Sequence, residues 1–177
     1  MDSTKKSRDE KHMLIALSEG GEALLRGDFP VGAVLVIGGE VIGKTNNALL
    51  SKKTWGDHAE TRLLLEHSEL IRKRKTENKD TVIELYSTLE PCLMCFGCAA
   101  MHRVTRVVFS LHDPSGGVTH IENDNLPVFY KNNWPEVAHG IYKEDAYGMF
   151  YEFIERQTSG PWVGAKKLFE EMKANWE

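Results

Sequence analysis

Two stretches of this chain hold side chains of the kind that do chemistry. In Pro91-Cys92-Leu93-Met94-Cys95, two thiols stand three apart directly behind a proline, and in His58-Ala59-Glu60 an imidazole lies two residues from a carboxylate. Alone, the cysteine pair fits a redox dithiol, half of a structural zinc site, or two small core residues. A redox dithiol gains nothing from the proline, and a four-cysteine zinc knuckle would need a second pair. One imidazole and two thiolates make a three-ligand zinc site whose fourth position stays open, the mark of catalytic rather than structural zinc. Zinc lowers the pKa of a water in that position to about 7, which provides a nucleophile at neutral pH. Glu60, which is not a ligand, is placed to carry the protons. The expected site is therefore one Zn2+ per chain on His58, Cys92 and Cys95, with Glu60 as the catalytic acid and base.

The spacing has a physical reason if both segments begin helices, because two positive helix ends then face one metal and favour thiolates and developing negative charge. The pattern around them agrees. "HAETRLLLEHSELIRKRK" reads as one helix with a basic end suited to the negative pole of its dipole, so Arg72 to Lys75 are explained as a solvated face without RNA. "CLMCFGCAAMH" reads as another, with Pro91 at its first position. Upstream, apolar residues recur at helical spacing from about residue 7 to 26, with Gly20 and Gly21 as the weak point. "VGAVLVIGGEVIGKT" is a hairpin turning at Gly38-Gly39. "TVIELYST", "VTRVVFSL" and a stretch near "EVAHGIY" read as strands, "DPSGG" as a loop. An amphipathic helix carries Ala146, Met149, Phe150, Phe153 and Ile154, and a last one carries Ala165, Leu168, Phe169, Met172 and Trp176. Strands interleaved with helices indicate a layered α/β domain with a central sheet covered on both faces.

The chain has 177 residues, enough for one domain with a proper core. Its charged start and lack of a long apolar run indicate no leader and no membrane span. Three cysteines, all within residues 92 to 98, are a poor disulfide framework and suit a reducing cytoplasm. A net charge of -4 leans mildly toward a small substrate over nucleic acid.

The H-x-E and P-C-x-x-C pair resembles the signature of the zinc-dependent cytidine/deoxycytidylate deaminase superfamily. The segments "FPVGAVLV", "VIGKTNN", "TLEPCLMCFG", "HRVTRVVFS" and "VAHGIYKEDAYGMFYEFIERQ" resemble its branch of tRNA adenosine, guanine and yeast-type cytosine deaminases, over about residues 12 to 157. The resemblance implies a three-layer α/β/α sandwich with a central five-stranded mixed sheet, commonly a homodimer. It also implies a substrate pocket touching Asn47, Phe29 and Val31, with Asp57, Leu89 and Glu90 at its border, and it makes Cys98 a buried small residue rather than a fourth ligand. Relatives acting on tRNA commonly carry Asp-Pro-Thr-Ala before the histidine, where this chain has Thr54-Trp55-Gly56-Asp57. The helix resembling their basic C-terminal one reads "YEFIERQ". Residues 158 to 177 resemble the aromatic tail that covers the site in yeast-type cytosine deaminases, an extra packing helix being the alternative. The expectation is a hydrolytic deaminase of a free nucleobase or nucleoside. A tRNA anticodon adenosine is the alternative substrate, and a non-catalytic zinc-binding subunit the second alternative, which the presence of Glu60 disfavours.

Overall fold

A computed structural model describes residues 3–159 and 162–176; the remaining positions of the expected domain and its extension, 1, 2, 160, 161 and 177, lie outside the described residues. The chain lays down five strands, β1 (Gly32–Ile37), β2 (Glu40–Asn46), β3 (Ile83–Leu89), β4 (Arg106–Leu111) and β5 (Glu136–His139), of which β1, β3 and β4 are buried along their whole length. They form one mixed sheet in the order β2-β1-β3-β4-β5, antiparallel at β1/β2 and β1/β3 and parallel at β3/β4 and β4/β5. Gly38 and Gly39 both take positive φ, 61° and 88°, the two-residue turn expected between β1 and β2.

Successive strand side chains point to opposite faces, and the two faces meet different helices. Val34, Val36, Tyr86 and Val108 pack against Met13 and Ala16 of α1 (Ser3–Arg26). Ala33, Leu35, Leu85, Val107 and Phe109 share a core with Ala59 and Leu63 of α2 (Ala59–Glu66) and Phe96 and Ala99 of α4 (Leu93–Met101). The expected glycine weak point in α1 is instead a close approach, because a Cβ on Gly32 would lie 2.0 Å from the Ala16 carbonyl oxygen and one on Gly20 would lie 2.8 Å from that of Pro30. A buried polar clasp the sequence did not reveal reinforces this contact. Arg106 on β4 donates to both oxygens of Asp9 on α1, at 2.8 and 2.6 Å, and to Glu84 on β3 at 3.1 Å.

Several boundaries differ from the sequence reading. The helix expected to run through residue 75 breaks at His67 into α2 and α3 (Ser68–Glu77). The His67 ring lies against Gly43 of β2, where a Cβ would stand 2.1 Å from Nε2, and beyond it α3 leaves the sheet with Ile71 as its buried residue. Pro91 is not the first residue of α4; Cys92 is the N-cap, held extended by a bridge to Gly117. The polar stretch after β4 contains a short 3-10 turn (Asn123–Asn125) and a single-turn helix, α5 (Val128–Lys131). The amphipathic helix α6 (Lys143–Glu155) receives α7 (Trp162–Ala174) through buried Ala165 and Phe169, whereas Leu168 points to solvent. No helix among the described residues is long and apolar enough to cross a membrane.

Candidate metal centre and active site

The two helix starts meet. His58 is the N-cap of α2 and Cys92 that of α4, and neither side chain is spent on capping. Cys95 lies one turn into α4, fully buried. The ligand atoms of His58, Cys92 and Cys95 all fall within 4.8 Å of one another. His58 Nδ1 is 3.7 Å from Cys92 Sγ and 3.5 Å from Cys95 Sγ. Zinc ligands at 2.3 Å for sulfur and about 2.0–2.1 Å for nitrogen subtend about 3.6 Å at a tetrahedral angle, so the three atoms fit one zinc ion.

The electrostatics of the donor set agree with this fit. A hydrogen bond from the Cys95 thiol, with His58 assisting against burial, pulls the Cys92 thiol down to about 4. The same hydrogen bond, together with burial, pushes Cys95 well up. The Cys92 contact also raises His58, against the opposing effect of burial. Two thiols and an imidazole sharing protons this tightly are the groups that exchange those protons for a dication. Thr61 Oγ1, 3.3 Å from Cys95 Sγ, supports the second sulfur. Cys98 is not in this group. It is half-buried rather than buried, with its sulfur 3.5 Å from His102 Nδ1.

Glu60, in the first turn of α2, is 3% exposed. Ser87 on β3 donates from Oγ to Glu60 Oε1 at 2.9 Å, and burial pushes the Glu60 carboxyl above its ordinary range. Ser87 stands within the sequence leading to the cysteines, but its role is visible only once β3 lies beside α2.

A cavity of about 230 Å3 opens over His58, Glu60 and Cys92, beside the carboxyl end of β3, the usual ligand position in such sheets. Phe29, Val31, Asn47, Leu89 and Glu90 all line it. Asn47 is buried, and its Oδ1 accepts from the Leu49 amide. Glu90 lines the cavity but spends its carboxylate on the loop after β4, accepting from His112 Nδ1, the Asp113 and Thr119 amides and Thr119 Oγ1. Burial raises the Glu90 carboxyl, and these donors outweigh it to hold the group low. Asp57 is not part of the wall. It is engaged by Thr54, Lys52 and Arg62.

The sequence reading did not identify Leu49, Leu50, Asp113, Ser115 and Gly116 as wall residues. The "DPSGG" turn was legible as a loop, but its place over the cavity depends on the Glu90 anchor. Trp162, the first residue of α7, also lines the cavity and stacks on Phe29 with ring centroids 4.3 Å apart. The tail thus both packs on α6 and supplies an aromatic wall.

Residues 6–111 match the model of the cytidine and deoxycytidylate deaminase zinc-binding region. The chain is 33% identical over 164 residues to a tRNA-specific adenosine deaminase of Bacillus subtilis, covering 93% of this chain and 99% of that one. It is 37% identical to the Aquifex aeolicus tRNA-specific adenosine deaminase, covering 64% and 74%. Among solved structures, one from work on A-to-I editing by tRNA:A34 deaminases at the wobble position superposes with a TM-score of 0.61 at 28% identity, over 78% of this chain and 98% of that one. A guanine deaminase of Nitrosomonas europaea has a TM-score of 0.65 at 17% identity, over 81% and 83%; this is a likeness of fold.

Proposed function

This chain belongs to the cytidine and deoxycytidylate deaminase family and is a zinc-dependent hydrolytic deaminase; from that premise we propose that it converts an adenosine presented by tRNA to inosine. The observation that carries the chemistry is the buried Glu60 carboxyl beside the His58, Cys92 and Cys95 ligand set, lining a cavity of about 230 Å3. The substrate is supported by similarity over almost the full length of a tRNA-specific adenosine deaminase, and this favours the tRNA alternative over the free base expected from the sequence.

Zn2+ on the three ligands would supply Lewis-acid activation of the attacking water. Glu60 takes a proton from that water and delivers it to the ring nitrogen beside the attacked carbon. A second transfer through Glu60 protonates the exocyclic amine, which departs as ammonia while the oxygen remains as a carbonyl. One water is consumed and one ammonia released. Burial helps Glu60 in the acid half of this cycle, because a raised pKa lets the carboxyl hold the proton it must give back. The Ser87 hydroxyl fixes one carboxyl oxygen so that the transfers need little reorientation. Phe29 and Val31 enclose the ring, and the Asn47 amide donates to the base or its ribose.

A second reading, deamination of a free base or nucleoside, is favoured by Trp162, whose stacking on Phe29 narrows the entrance. The working protein is proposed to be a cytoplasmic homodimer, supported by the exposed apolar stripe Leu93, Met94 and Met101 along α4. The deciding experiment treats unfractionated tRNA and, separately, adenine, guanine, cytosine and their nucleosides with zinc-loaded protein, reading inosine in the tRNA and ammonia in every arm. Inosine at an anticodon adenosine supports the proposal. Release from one small compound alone would replace it with the second reading, in which Trp162→Ala should then raise KM more than it lowers kcat.

A further inference from the structure

Away from the catalytic cavity, two adjoining grooves run along α3 and the end of α4. One, about 450 Å3, is lined by Arg72, Lys75, His102 and Arg103 among others, and the next, about 520 Å3, by Lys75, Lys79, Arg103, Asn132, Asn133 and Trp134. Lys75 and Arg103 border both, so the two form a single basic strip, and Glu136 is the one carboxylate in either wall. Arg72, Lys79 and Arg103 are exposed and, among the described residues, form no ion pair, unlike neighbouring Lys73 with its partner Glu77 at 4.0 Å. Lys75 is held in place by donating to the Lys79 and Thr81 carbonyls, and the Arg103 guanidinium sits over the Phe129 ring at 4.7 Å. The cations are therefore gathered from two separate segments, α3 with the turn after it and the end of α4, and partly pre-positioned on a chain whose net charge is -4. A solvated helix face accounts for Arg72 to Lys75 but not for their convergence with Lys79 and Arg103.

We propose that this strip binds the phosphodiester backbone of the RNA substrate at a distance from the reacting base, an inference that rests on the tRNA reading above. The grooves open beside Thr105 and Glu136, where β4 and β5 begin, whereas the catalytic cavity lies by Leu89 and Glu90, where β3 ends. The parallel strands β3 and β4 separate the two ends of the sheet by about 20 Å, six residues at about 3.3 Å each. A nucleoside cannot occupy both sites, but an RNA arm of several nucleotides can. Long open grooves with spaced cations suit a row of phosphates better than one enclosed anion, and Asn132 and Asn133 offer neutral donors for phosphate or sugar oxygens.

The test compares intact zinc-loaded protein with the double variant Arg72→Gln/Lys79→Gln, both positions being exposed and polar, and with the charge-preserving Arg72→Lys/Lys79→Arg. Binding of a tRNA transcript is followed from about 50 to 200 mM salt, with kinetics on the same tRNA. Each phosphate contact contributes about one to the slope of log K against log salt. The glutamine variant should therefore lose about two from that slope and raise KM for tRNA at low salt with kcat unchanged, while the charge-preserving variant keeps the wild-type slope. An unaltered slope in the glutamine variant, or no tRNA binding by the wild type, overturns the proposal. Equal deamination of tRNA with equal KM by both proteins removes the strip and leaves the tRNA reading intact. Salt-dependent binding that the glutamine variant loses, without deamination, upholds the strip and removes the tRNA substrate.

Discussion

Replacing Glu60 by glutamine isolates the proton carrier from everything around it. Glutamine has nearly the same volume, keeps a partner for the Ser87 hydroxyl, and leaves His58, Cys92 and Cys95 untouched, so zinc binding and fold should persist. Two other carboxylates line the cavity, and Asp113 Oδ1 accepts from the Ser115 amide and hydroxyl. Glu90 shares the cavity but is committed to His112, Asp113 and Thr119. Positioned acid-base catalysis contributes about 10^2–10^4 in rate, or about 3–5 kcal/mol of barrier. Glu60 serves two successive transfers, so the loss belongs at the upper part of that range. The assay is single-turnover deamination at saturating substrate, with zinc content and thermal unfolding measured on the same preparation. A Glu60→Gln variant holding full zinc and turning over within about tenfold of wild type would refute the assigned role.

Three further outcomes follow from the geometry. Thr61→Val removes the hydroxyl 3.3 Å from Cys95 Sγ and should weaken zinc affinity by about 10–100-fold in a chelator competition while leaving the fold intact; unchanged affinity would deny Thr61 any part in holding the sulfur. Gly32→Ala places a methyl group 2.0 Å from the Ala16 carbonyl and should cost about 1–3 kcal/mol or more in denaturant unfolding as α1 is forced off β1, so a neutral result would contradict that close approach. His12 is 3% exposed with no partner at Nδ1 among the described residues, and burial lowers its pKa below 6.5, with Glu84 partly opposing. The unfolded chain therefore takes up a proton that the folded chain refuses, and stability falls as pH drops from about 6.5 toward the folded-state value. His12→Phe should flatten that limb of the thermal-unfolding curve, and an identical limb in the variant would show that His12 is not its source.

The metal site was legible in the sequence because its parts are local. His58 with Glu60, and Cys92 with Cys95, each lie on one helix start, so spacing alone carries the geometry. The hairpin was legible for the same reason, in the pair Gly38-Gly39. What was not legible depends on contacts between distant segments. The break at His67 sets its ring against Gly43 on β2, and the clasp of Asp9, Glu84 and Arg106 joins a helix to two strands. Asp113 and Ser115 reach the cavity wall through a loop whose anchor, Glu90, is more than twenty residues away, and the basic strip needs Lys79 and Arg103 brought to α3. Asp57 adjoins the ligand His58 in sequence yet turns to Lys52 and Arg62, so adjacency to a ligand did not place it in the pocket.

Hydrolysis by this site is tested by running the reaction on unfractionated tRNA in water enriched in heavy oxygen, digesting the RNA to nucleosides, and measuring ammonia and isotope content together. Hydrolytic deamination predicts one heavy oxygen in each inosine formed and ammonia in equal amount, both absent with Glu60→Gln. No ammonia from any tRNA, or inosine without solvent oxygen, would contradict the account.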